Sequence, residues 1–232
     1  LMYRVQARSW IVLGDPVGSP SETAQLAWEF VDAASAANAR PVFYQVGPTN
    51  LGLWAEMGLA IHKMGEEAIV NLASFSLEGN HRKKVRTAHN RAGRDGLSFE
   101  ILAAPVDDGT MDVLRQISDQ WLQDKRSSEK QFSVGRFEPE YLRQFPIAVV
   151  RHDKRIVAFA NVMTTGLKEA ATIDLMRHVD DAPSGLMNYL FTDLILHLKK
   201  EGFSEFSLGM APLSGLATRR GSRWTEKFQG QV

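Results

Sequence analysis

The chain has 232 residues, 44% of them hydrophobic and 23% charged, a balance typical of one or two globular domains that argues against a disordered or fibrous protein. Its 27 basic and 27 acidic side chains cancel, so any attraction to a polyanion must come from local clustering of charge. The absence of cysteine excludes disulfides, a thiol nucleophile and cysteine-ligated zinc. The sequence contains no apolar run of the ~18 residues that a transmembrane helix needs.

The first half of the sequence predicts alternating strands and helices, an order typical of an α/β layer architecture. After a strand at 5–13, a helix is predicted to begin at Ser19, because Pro20 and Glu22 complete a capping-box pattern. The next predicted elements are a strand at 41–46, a short helix at 50–57, strand pieces between 59 and 72 interrupted by Gly65-Glu66-Glu67, a polar helix at 79–93 and a strand at 97–102.

The second half begins after a predicted boundary loop at 107–109, so we predict two lobes, residues 1–106 and 107–232. Its predicted elements are a helix at 110–124, strands at 146–151 and 155–164 joined as a hairpin, a strand at 169–177, a helix at 184–201 and a strand at 205–209. This order is typical of the second half of an acetyltransferase-like α/β fold with a mixed sheet.

A basic segment, GNHRKKVRTAHNRAGRDG, covers residues 79–96 and holds six Lys or Arg and two His before its aspartate. Arg82, Arg86 and Asn90 are spaced four apart and would share one face of a helix. Such a face can bind phosphates by charge and hydrogen bonds. The alternative is a solvated surface helix, although such helices usually mix both signs of charge.

The predicted strand at 169–177 contains an aspartate among apolar residues. Strict alternation places Asp174 and Arg177 on opposite faces, so a β-bulge or the strand end is needed to bring them together. A carboxylate in an apolar strand is costly to bury without a partner, so Asp174 is either paired or functional. Both interpretations, a structural ion pair and a reactive carboxylate, remain open at this point.

Two loops are weaker candidates for a site. Residues 208–215, LGMAPLSG, follow a strand, and strand ends in open α/β sheets often bind ligands, with an ordinary turn as the alternative. The polar residues 127–136 suit either a lid or a plain surface loop.

Motifs of several other enzyme classes are absent from the sequence. The histidines form no HxxxH or HExxH pair, and there is no P-loop, G-x-G-x-x-G or G-x-S-x-G motif, so we predict no metal and no nucleotide cofactor. Acetyltransferases that use coenzyme A have a Gly-rich pyrophosphate loop between a strand and its helix, whereas this junction reads HVDDAPSGLMNYL. The pattern predicts an acyltransferase-like scaffold whose acyl group comes from another donor.

Six sequence strings, in chain order, resemble the cytosolic catalytic domain of the aminoacyl-phosphatidylglycerol synthases. This family is also called the multiple peptide resistance factors or phosphatidylglycerol lysyltransferases, and the similarity points to its low-pH-inducible branch. The strings are GDPVG (14–18), FSLEGNHRKKVRTAHNR (75–91), EKQFSVGRF (129–137), IVAFANV (156–162), IDLMRH (173–178) and LGMAPLSGL (208–216). They cover nearly the whole chain.

The resemblance implies tandem acetyltransferase-like lobes that transfer an aminoacyl group, usually lysyl, from aminoacyl-tRNA to phosphatidylglycerol with no cofactor. It also implies an N-terminal membrane region in the same protein, and a place at the cytoplasmic face of the bacterial inner membrane. Family members continue past LGMAPLSGL into a helix and a basic tail. We therefore expect a segment to be missing between Trp224 and Phe228, and the tail to be absent.

Carried over by motif, the predicted catalytic residues are Asp174, which positions or activates the reacting groups, and Arg177, which orients the carboxylate or neutralises a phosphate. The resemblance assigns substrate binding to the basic segment, to a pair that lines the aminoacyl pocket, and to the loop after the last strand. These residues are Arg82, Arg86, Asn90, Arg91, Glu129, Lys130, Gly209, Met210 and Pro212. An acid at position 129 would select a lysyl ammonium.

Three alternative functions remain open from the sequence. One is a peptidoglycan-bridge aminoacyltransferase, which uses the same type of donor on the same type of lobes. Another is a coenzyme A-dependent N-acetyltransferase, which the absent Gly-rich loop disfavours. The third is a non-catalytic module whose basic helix docks on an anionic membrane or on RNA.

Overall fold

The computed structural model describes residues 1–125, residue 129 and residues 135–216. Contacts between the described residues group them into two compact units, one of residues 1–66 and 210–216, the other within residues 67–209. This grouping differs from the predicted lobes 1–106 and 107–232, which stay a prediction. Within the described residues, no helix has the length and apolar character needed to span a membrane.

The first unit contains a three-stranded sheet. β1 (Tyr3–Gln6) and β2 (Ser9–Leu13) pair antiparallel, and β3 (Arg40–Tyr44) pairs parallel with β2. The single strand predicted over residues 5–13 is therefore wrong. The chain reverses at Ala7, whose φ is 50°, and no glycine or asparagine marks that turn in the sequence.

The helix α1 (Pro20–Ala36) joins β2 to β3 and begins as predicted. The Ser19 hydroxyl accepts a hydrogen bond from the Glu22 N–H, and the Glu22 carboxylate accepts one from the Ser19 N–H, a reciprocal cap that satisfies two N–H groups at the start of the helix. The buried ring of Phe30 packs against one aromatic ring from each strand, namely Tyr3, Trp10 and Phe43. A short 3-10 turn and α2 (Leu51–Glu56) follow β3.

The second sheet has six strands in the order β4-β9-β8-β7-β6-β5. Its strands are β4 (Gly65–Asn71), β5 (Leu97–Leu102), β6 (Ile147–His152), β7 (Arg155–Thr164), β8 (Ala170–His178) and β9 (Glu205–Pro212). Strands β5 to β8 pair antiparallel, and β9 is parallel to β8. Two predictions fail here: Gly65-Glu66-Glu67 lies within β4 instead of interrupting it, and β9 continues past residue 209.

Helices on the second unit fill the core beside this sheet. They are α3 (Lys83–Arg94), α4 (Asp108–Asp124), α5 (Pro139–Leu142) and α6 (Leu186–Lys200). Residues 147–150 of β6 and 157–160 of β7 are all buried, as expected of central strands covered on both faces. Of these two buried strands, β7 pairs directly with β8, which carries the predicted catalytic residues.

Candidate functional site

A β-bulge interrupts β8 at the predicted catalytic aspartate. The register between β7 and β8 shifts between Ala160 and Val162, so that Asp174 and Leu175 together lie opposite the single residue Asn161. An extra residue of this kind reverses the alternation of side chains beyond it. The bulge is therefore the departure from strict alternation that the sequence requires if Asp174 and Arg177 serve one site.

The Asp174 carboxylate is half-buried and has few partners. The Tyr141 hydroxyl of α5 donates a hydrogen bond of 3.3 Å to Asp174 Oδ2. The backbone of Gly135 covers the same group so closely that an added Cβ would lie 2.6 Å from Oδ2. Across the described residues Asp174 makes no ion pair, and the structural ion pair with Arg177 that the sequence left open is not formed.

Arg177 is enclosed, with 7% of its surface exposed. Its Nη2 donates to Glu129 Oε2 at 3.2 Å, its Nη1 donates to the Met176 carbonyl at 2.9 Å, and its guanidinium carbon lies 4.3 Å from the centre of the Trp121 ring. Burial lowers the pKa of Arg177, while the charges of Glu129 and Asp174 act in the opposite direction. Its Nε finds no hydrogen-bond partner among the described residues.

Glu129 uses both carboxylate oxygens within the protein. Oε2 accepts from Arg177, and Oε1 accepts from the Phe137 N–H at 3.0 Å. The predicted selection of a lysyl ammonium by Glu129 stays a prediction, and its charge is already paired with a guanidinium. The neighbouring candidate Lys130 lies outside the described residues.

Tyr141 is the donor nearest to Asp174. Burial raises the pKa of the Tyr141 phenol first, and the charge of Asp174 and its hydrogen bond raise it further. The hydroxyl is consequently protonated throughout the neutral range. It can donate to the carboxylate or to an oxygen that gains negative charge.

At the start of the basic helix α3, two of the four predicted phosphate-binding residues, Arg82 and Arg86, are partly buried and contact the preceding segment. Arg86 donates to the carbonyls of Leu77 and Gly79, and so holds the loop that precedes the helix. The Arg82 guanidinium lies 5.4 Å from the centre of the Phe75 ring. For both residues the predicted phosphate contact stays a prediction, and these partners were not visible in the four-residue spacing.

The other two predicted residues of α3 are exposed. The Asn90 carbonyl accepts a hydrogen bond from Arg94, and Arg91 lies 3.4 Å from Asp95 across one helical turn. Between α3 and α6 lies a shallow depression of about 600 Å³, lined by His89, Asn90, Gly93, Arg94 and Tyr189. None of the residues that line this depression is among the described contacts of Asp174 and Arg177. Those contacts come from residues between 121 and 176.

The remaining predicted residues lie on β9 instead of in a loop. Gly209 has a φ of 85°, a conformation that favours glycine, and its N–H donates to the Ser207 hydroxyl at 3.1 Å. Met210 is half-buried and Pro212 is exposed at the end of the strand. Their predicted contact with substrate is not tested by these positions.

Sequence reasoning did not predict the contacts of four residues that surround the predicted pair, although one of them, Gly135, lies in the candidate loop at 127–136. Asn161, Tyr141 and Gly135 contact Asp174 or its backbone, and the Trp121 ring carries the Arg177 guanidinium. Of these residues, Asn161 could have been singled out most readily from the sequence, because it is a polar residue inside the apolar string IVAFANV. Trp121 fits the apolar stripe of its helix, so periodicity assigns it to the core.

The described part of the chain contains no group of three or more His, Asp or Glu side chains that could bind a metal ion.

Solved structures with similar folds support the α/β assignment. The C-terminal domain of a putative lysylphosphatidylglycerol synthetase from Agrobacterium fabrum has a TM-score of 0.88 and 46% identity, over 91% of this chain and 67% of that one. L-PGS from Bacillus licheniformis has a TM-score of 0.87 and 36% identity, over 94% of this chain and 69% of that one. FemX, at 12% identity and a TM-score of 0.60, shares the fold.

Curated relatives match along the entire chain. The phosphatidylglycerol lysyltransferase of Bacillus subtilis (strain 168) is 38% identical over 233 aligned residues, and that of Staphylococcus aureus (strain MSSA476) is 35% identical. Both alignments include 100% of this chain but only 27% and 28% of the relatives. The chain therefore spans little more than a quarter of the length of these proteins.

Fold and site together define an α/β protein whose mixed sheet carries a bulged strand with a carboxylate and a guanidinium, so the predicted mixed-sheet α/β class is confirmed. A family model described as phosphatidylglycerol lysyltransferase, C-terminal, matches residues 1–232. The chain belongs to this family, and the resemblance read from its six motifs is confirmed.

Proposed function

We propose that this chain is a catalytic domain that transfers a lysyl group from charged tRNA to phosphatidylglycerol. The observation that carries the proposal is the half-buried Asp174 on the β8 bulge, bonded to Tyr141 and within the field of the enclosed Arg177. A carboxylate that keeps acceptor capacity beside a protonated phenol can accept and return a proton. Membership of the family provides the substrate class.

The proposed reaction exchanges one ester for another. A glycerol hydroxyl of the lipid attacks the lysyl carbonyl carbon and forms the new C–O bond, while the bond to the tRNA ribose oxygen breaks. Asp174 accepts the proton of the attacking hydroxyl and returns it to the leaving ribose oxygen. The energy is stored in the donor ester, so the protein must orient two substrates and move one proton.

Arg177 and Tyr141 have supporting roles in this proposal. The guanidinium stays cationic even though burial lowers its pKa, because Arg is protonated at any ordinary pH. Its positive charge stabilises negative charge that develops on the carbonyl oxygen or belongs to a nearby phosphate. The Tyr141 hydroxyl supplies a neutral hydrogen-bond donor to Asp174 Oδ2.

The partners and the location are also proposals. We place the chain in a longer protein with a membrane region, at the cytoplasmic face of the inner membrane where both charged tRNA and phosphatidylglycerol are available. The exposed basic side chains of α3 offer phosphate contacts for the tRNA end or the lipid. Transfer of a lysyl group turns a lipid with one net negative charge into one with a net positive charge, which weakens attraction of cationic peptides to the membrane.

The deciding experiment extracts lipids from cells that make the full-length protein, either unchanged or with Asp174→Asn. We expect lysyl-phosphatidylglycerol with the unchanged protein and a loss of at least about 100-fold with the variant, because the proton acceptor is removed. The control is Asp181→Asn, which removes a carboxylate from an exposed ion pair with Arg155 and should leave the product unchanged. Mass spectrometry identifies the lipid, and thermal melting checks that each variant folds.

Other outcomes support the alternative functions. Product lipid that is unchanged by Asp174→Asn contradicts the catalytic role and favours a docking module. Transfer to a cell-wall precursor but not to phosphatidylglycerol vesicles favours a peptidoglycan-bridge enzyme. Saturable binding of acetyl-coenzyme A favours an N-acetyltransferase.

A further inference from the structure

Asn161 is a fully buried amide in the middle of an apolar strand. Its exposure is 0%, and the flanking residues Ala160 and Val162 are exposed by 0% and 3%. A buried amide side chain needs hydrogen-bond partners for both its oxygen and its nitrogen, and an apolar strand offers few. Packing alone would favour an aliphatic residue at this position, so the amide requires another explanation.

The side-chain oxygen of Asn161 explains its presence. Oδ1 accepts from the N–H of Leu175 at 2.7 Å and from the N–H of Asp174 at 3.2 Å. Two consecutive N–H groups converge on one point because the bulge places both residues opposite a single partner. One side-chain oxygen with two lone pairs satisfies both donors.

Occupation of these N–H groups has a chemical consequence. A convergent pair of backbone N–H groups is the type of site that stabilises an oxyanion. Here Asn161 already occupies that pair, so the negative charge that develops during transfer must be stabilised by other donors. Tyr141 and Arg177 are the donors that the described structure places around Asp174.

The nitrogen of Asn161 has no hydrogen-bond partner among the described residues. A buried donor without a partner is unfavourable, and an aliphatic side chain would remove it. That substitution would, however, leave both N–H groups of the bulge without an acceptor. The observed arrangement keeps the bulge N–H groups bonded and leaves the side-chain nitrogen unpaired.

We propose that Asn161 is a positioning residue, which holds the β8 bulge and thereby sets the place of the Asp174 carboxylate for the transfer reaction. The inference rests on the proposed function and adds to it a residue on a neighbouring strand that acts through Asp174. Asn161 itself needs no contact with either substrate.

The charged and titratable groups that face Asp174 define how the proposal can be tested. In the described part of the molecule they are Tyr141 from α5 and Arg177 from β8, with Glu129 bonded to Arg177. The segment at Gly135 contributes backbone, and β7 contributes the neutral Asn161. An Asn161→Asp substitution keeps an acceptor for both N–H groups and adds one negative charge beside the bulge.

Two variants of the full-length protein separate position from charge. Asn161→Ala removes the acceptor, and we expect kcat for lysyl transfer to fall about 30-fold or more while KM for either substrate changes by less than about threefold. Asn161→Asp restores the acceptor, and we expect most of kcat to return at alkaline pH. Its acid limb of kcat/KM should move upward by about one pH unit, since a second nearby carboxylate favours the protonated state.

Thr172→Val provides a matched control on β8. The Thr172 hydroxyl donates to the Ser207 carbonyl at 3.2 Å, so its loss also removes a hydrogen bond from side chain to backbone, but away from the bulge. We expect the thermal stability of Thr172→Val to fall, while kcat and the pH profile of transfer stay unchanged. A purely structural role for Asn161 predicts that Asn161→Ala likewise loses only stability, with kcat unchanged.

A second readout keeps the inference separate from the proposed function. The carboxyl carbon resonance of Asp174, assigned with Asp174→Asn, is compared by NMR in the unchanged protein, in Asn161→Ala and in Thr172→Val. A displaced resonance in Asn161→Ala but not in Thr172→Val supports the proposal even if no lysyl transfer is detected, because a lack of transfer contradicts only the proposed function. An unmoved Asp174 resonance together with full kcat in Asn161→Ala overturns the proposal.

Discussion

Asp174 and Arg177 are close enough to interact, yet their environments differ. Arg177 is bonded to Glu129 and to a backbone carbonyl and lies over the Trp121 ring, so its orientation is set by the protein. Asp174 is half-buried and receives one hydrogen bond of 3.3 Å from Tyr141. This difference assigns a fixed positive charge to one residue and an available acceptor to the other.

The close approach of Gly135 to Asp174 leads to a prediction about a single methyl group. In Gly135→Ala the new Cβ would lie 2.6 to 2.8 Å from three atoms of the carboxylate, so the Asp174 side chain must move. We expect lysyl transfer to fall at least about tenfold while the protein remains folded, because misplaced reacting groups are costly in rate. Initial rates with phosphatidylglycerol vesicles and a thermal melt measure the two effects.

Gly166→Ala is the control for that variant. Gly166 lies in the connection between β7 and β8, and a Cβ there meets no atom within 4 Å. Its transfer rate should equal that of the unchanged protein. Equal rates for both alanine variants would contradict the assignment of Asp174 to the reacting centre.

At the scale of elements, α3 and α6 are joined by a polar contact within the second unit. His89 Nε2 lies 2.8 Å from Asp193 Oδ1, and the His89 ring stacks on Tyr189 with the centres 5.0 Å apart. Burial, followed by the charge of Asp193 and a hydrogen bond to it, raises the pKa of Tyr189 to about 12. The basic helix therefore depends on this contact for part of its attachment.

The raised pKa predicts a loss of stability at alkaline pH. Between the ordinary Tyr value of 10.0 and the folded value of about 12, the unfolded chain releases the Tyr189 proton while the folded protein retains it. Rising pH then favours unfolding, by roughly 3 kcal/mol over this window. Below pH 10 the contribution is fully present, and above 12 it is lost.

Tyr189→Phe tests this element-scale contact. The variant should lose about 1 kcal/mol at neutral pH, where it lacks the hydrogen bond to Asp193, and its stability should decline less steeply than that of the unchanged protein at alkaline pH. Urea unfolding at a series of pH values measures both slopes. If the stability of both proteins declined with pH at the same rate, Tyr189 would ionise as readily in the folded protein as in the unfolded chain.

At the scale of the whole molecule, charge is balanced overall and concentrated locally. The chain has no formal net charge, yet its basic segment places six Lys or Arg before a single aspartate. Long-range attraction to RNA or to an anionic lipid surface must therefore come from one part of the surface. Such attraction weakens as salt is added, because the release of counterions on binding is then less favourable.

Lys84→Glu tests that local charge on α3, where Lys84 is exposed. We expect KM for charged tRNA to rise about tenfold at low salt and kcat to change little, with a smaller difference as salt increases from about 50 to about 200 mM. The control is Lys154→Glu, which reverses the charge of an exposed side chain in the β6–β7 hairpin. It should leave KM for charged tRNA within about twofold of the value for the unchanged protein. If KM for charged tRNA rose equally in both variants, the effect would come from the total charge of the protein and not from α3.

Local patterns were sufficient for much of the fold. The capping box at Ser19, the strand at 97–102 and the β6–β7 hairpin follow from residues within a few positions of each other, and each agrees with the structure. The errors occurred where local signals were weak or misleading. The turn at Ala7 lacks glycine, and Gly65 lies within a strand.

For the site, the sequence by itself determined the family, the fold class and the two residues, Asp174 and Arg177, that the motifs single out. The tertiary structure decided how they are held: Asn161 reaches them from the next strand, Tyr141 from α5 and the Trp121 ring from α4. These partners lie between 13 and 56 positions away in the sequence. Periodicity reports contacts within one element, whereas a bulge and its bonded partners exist only after strands from distant parts of the chain have paired.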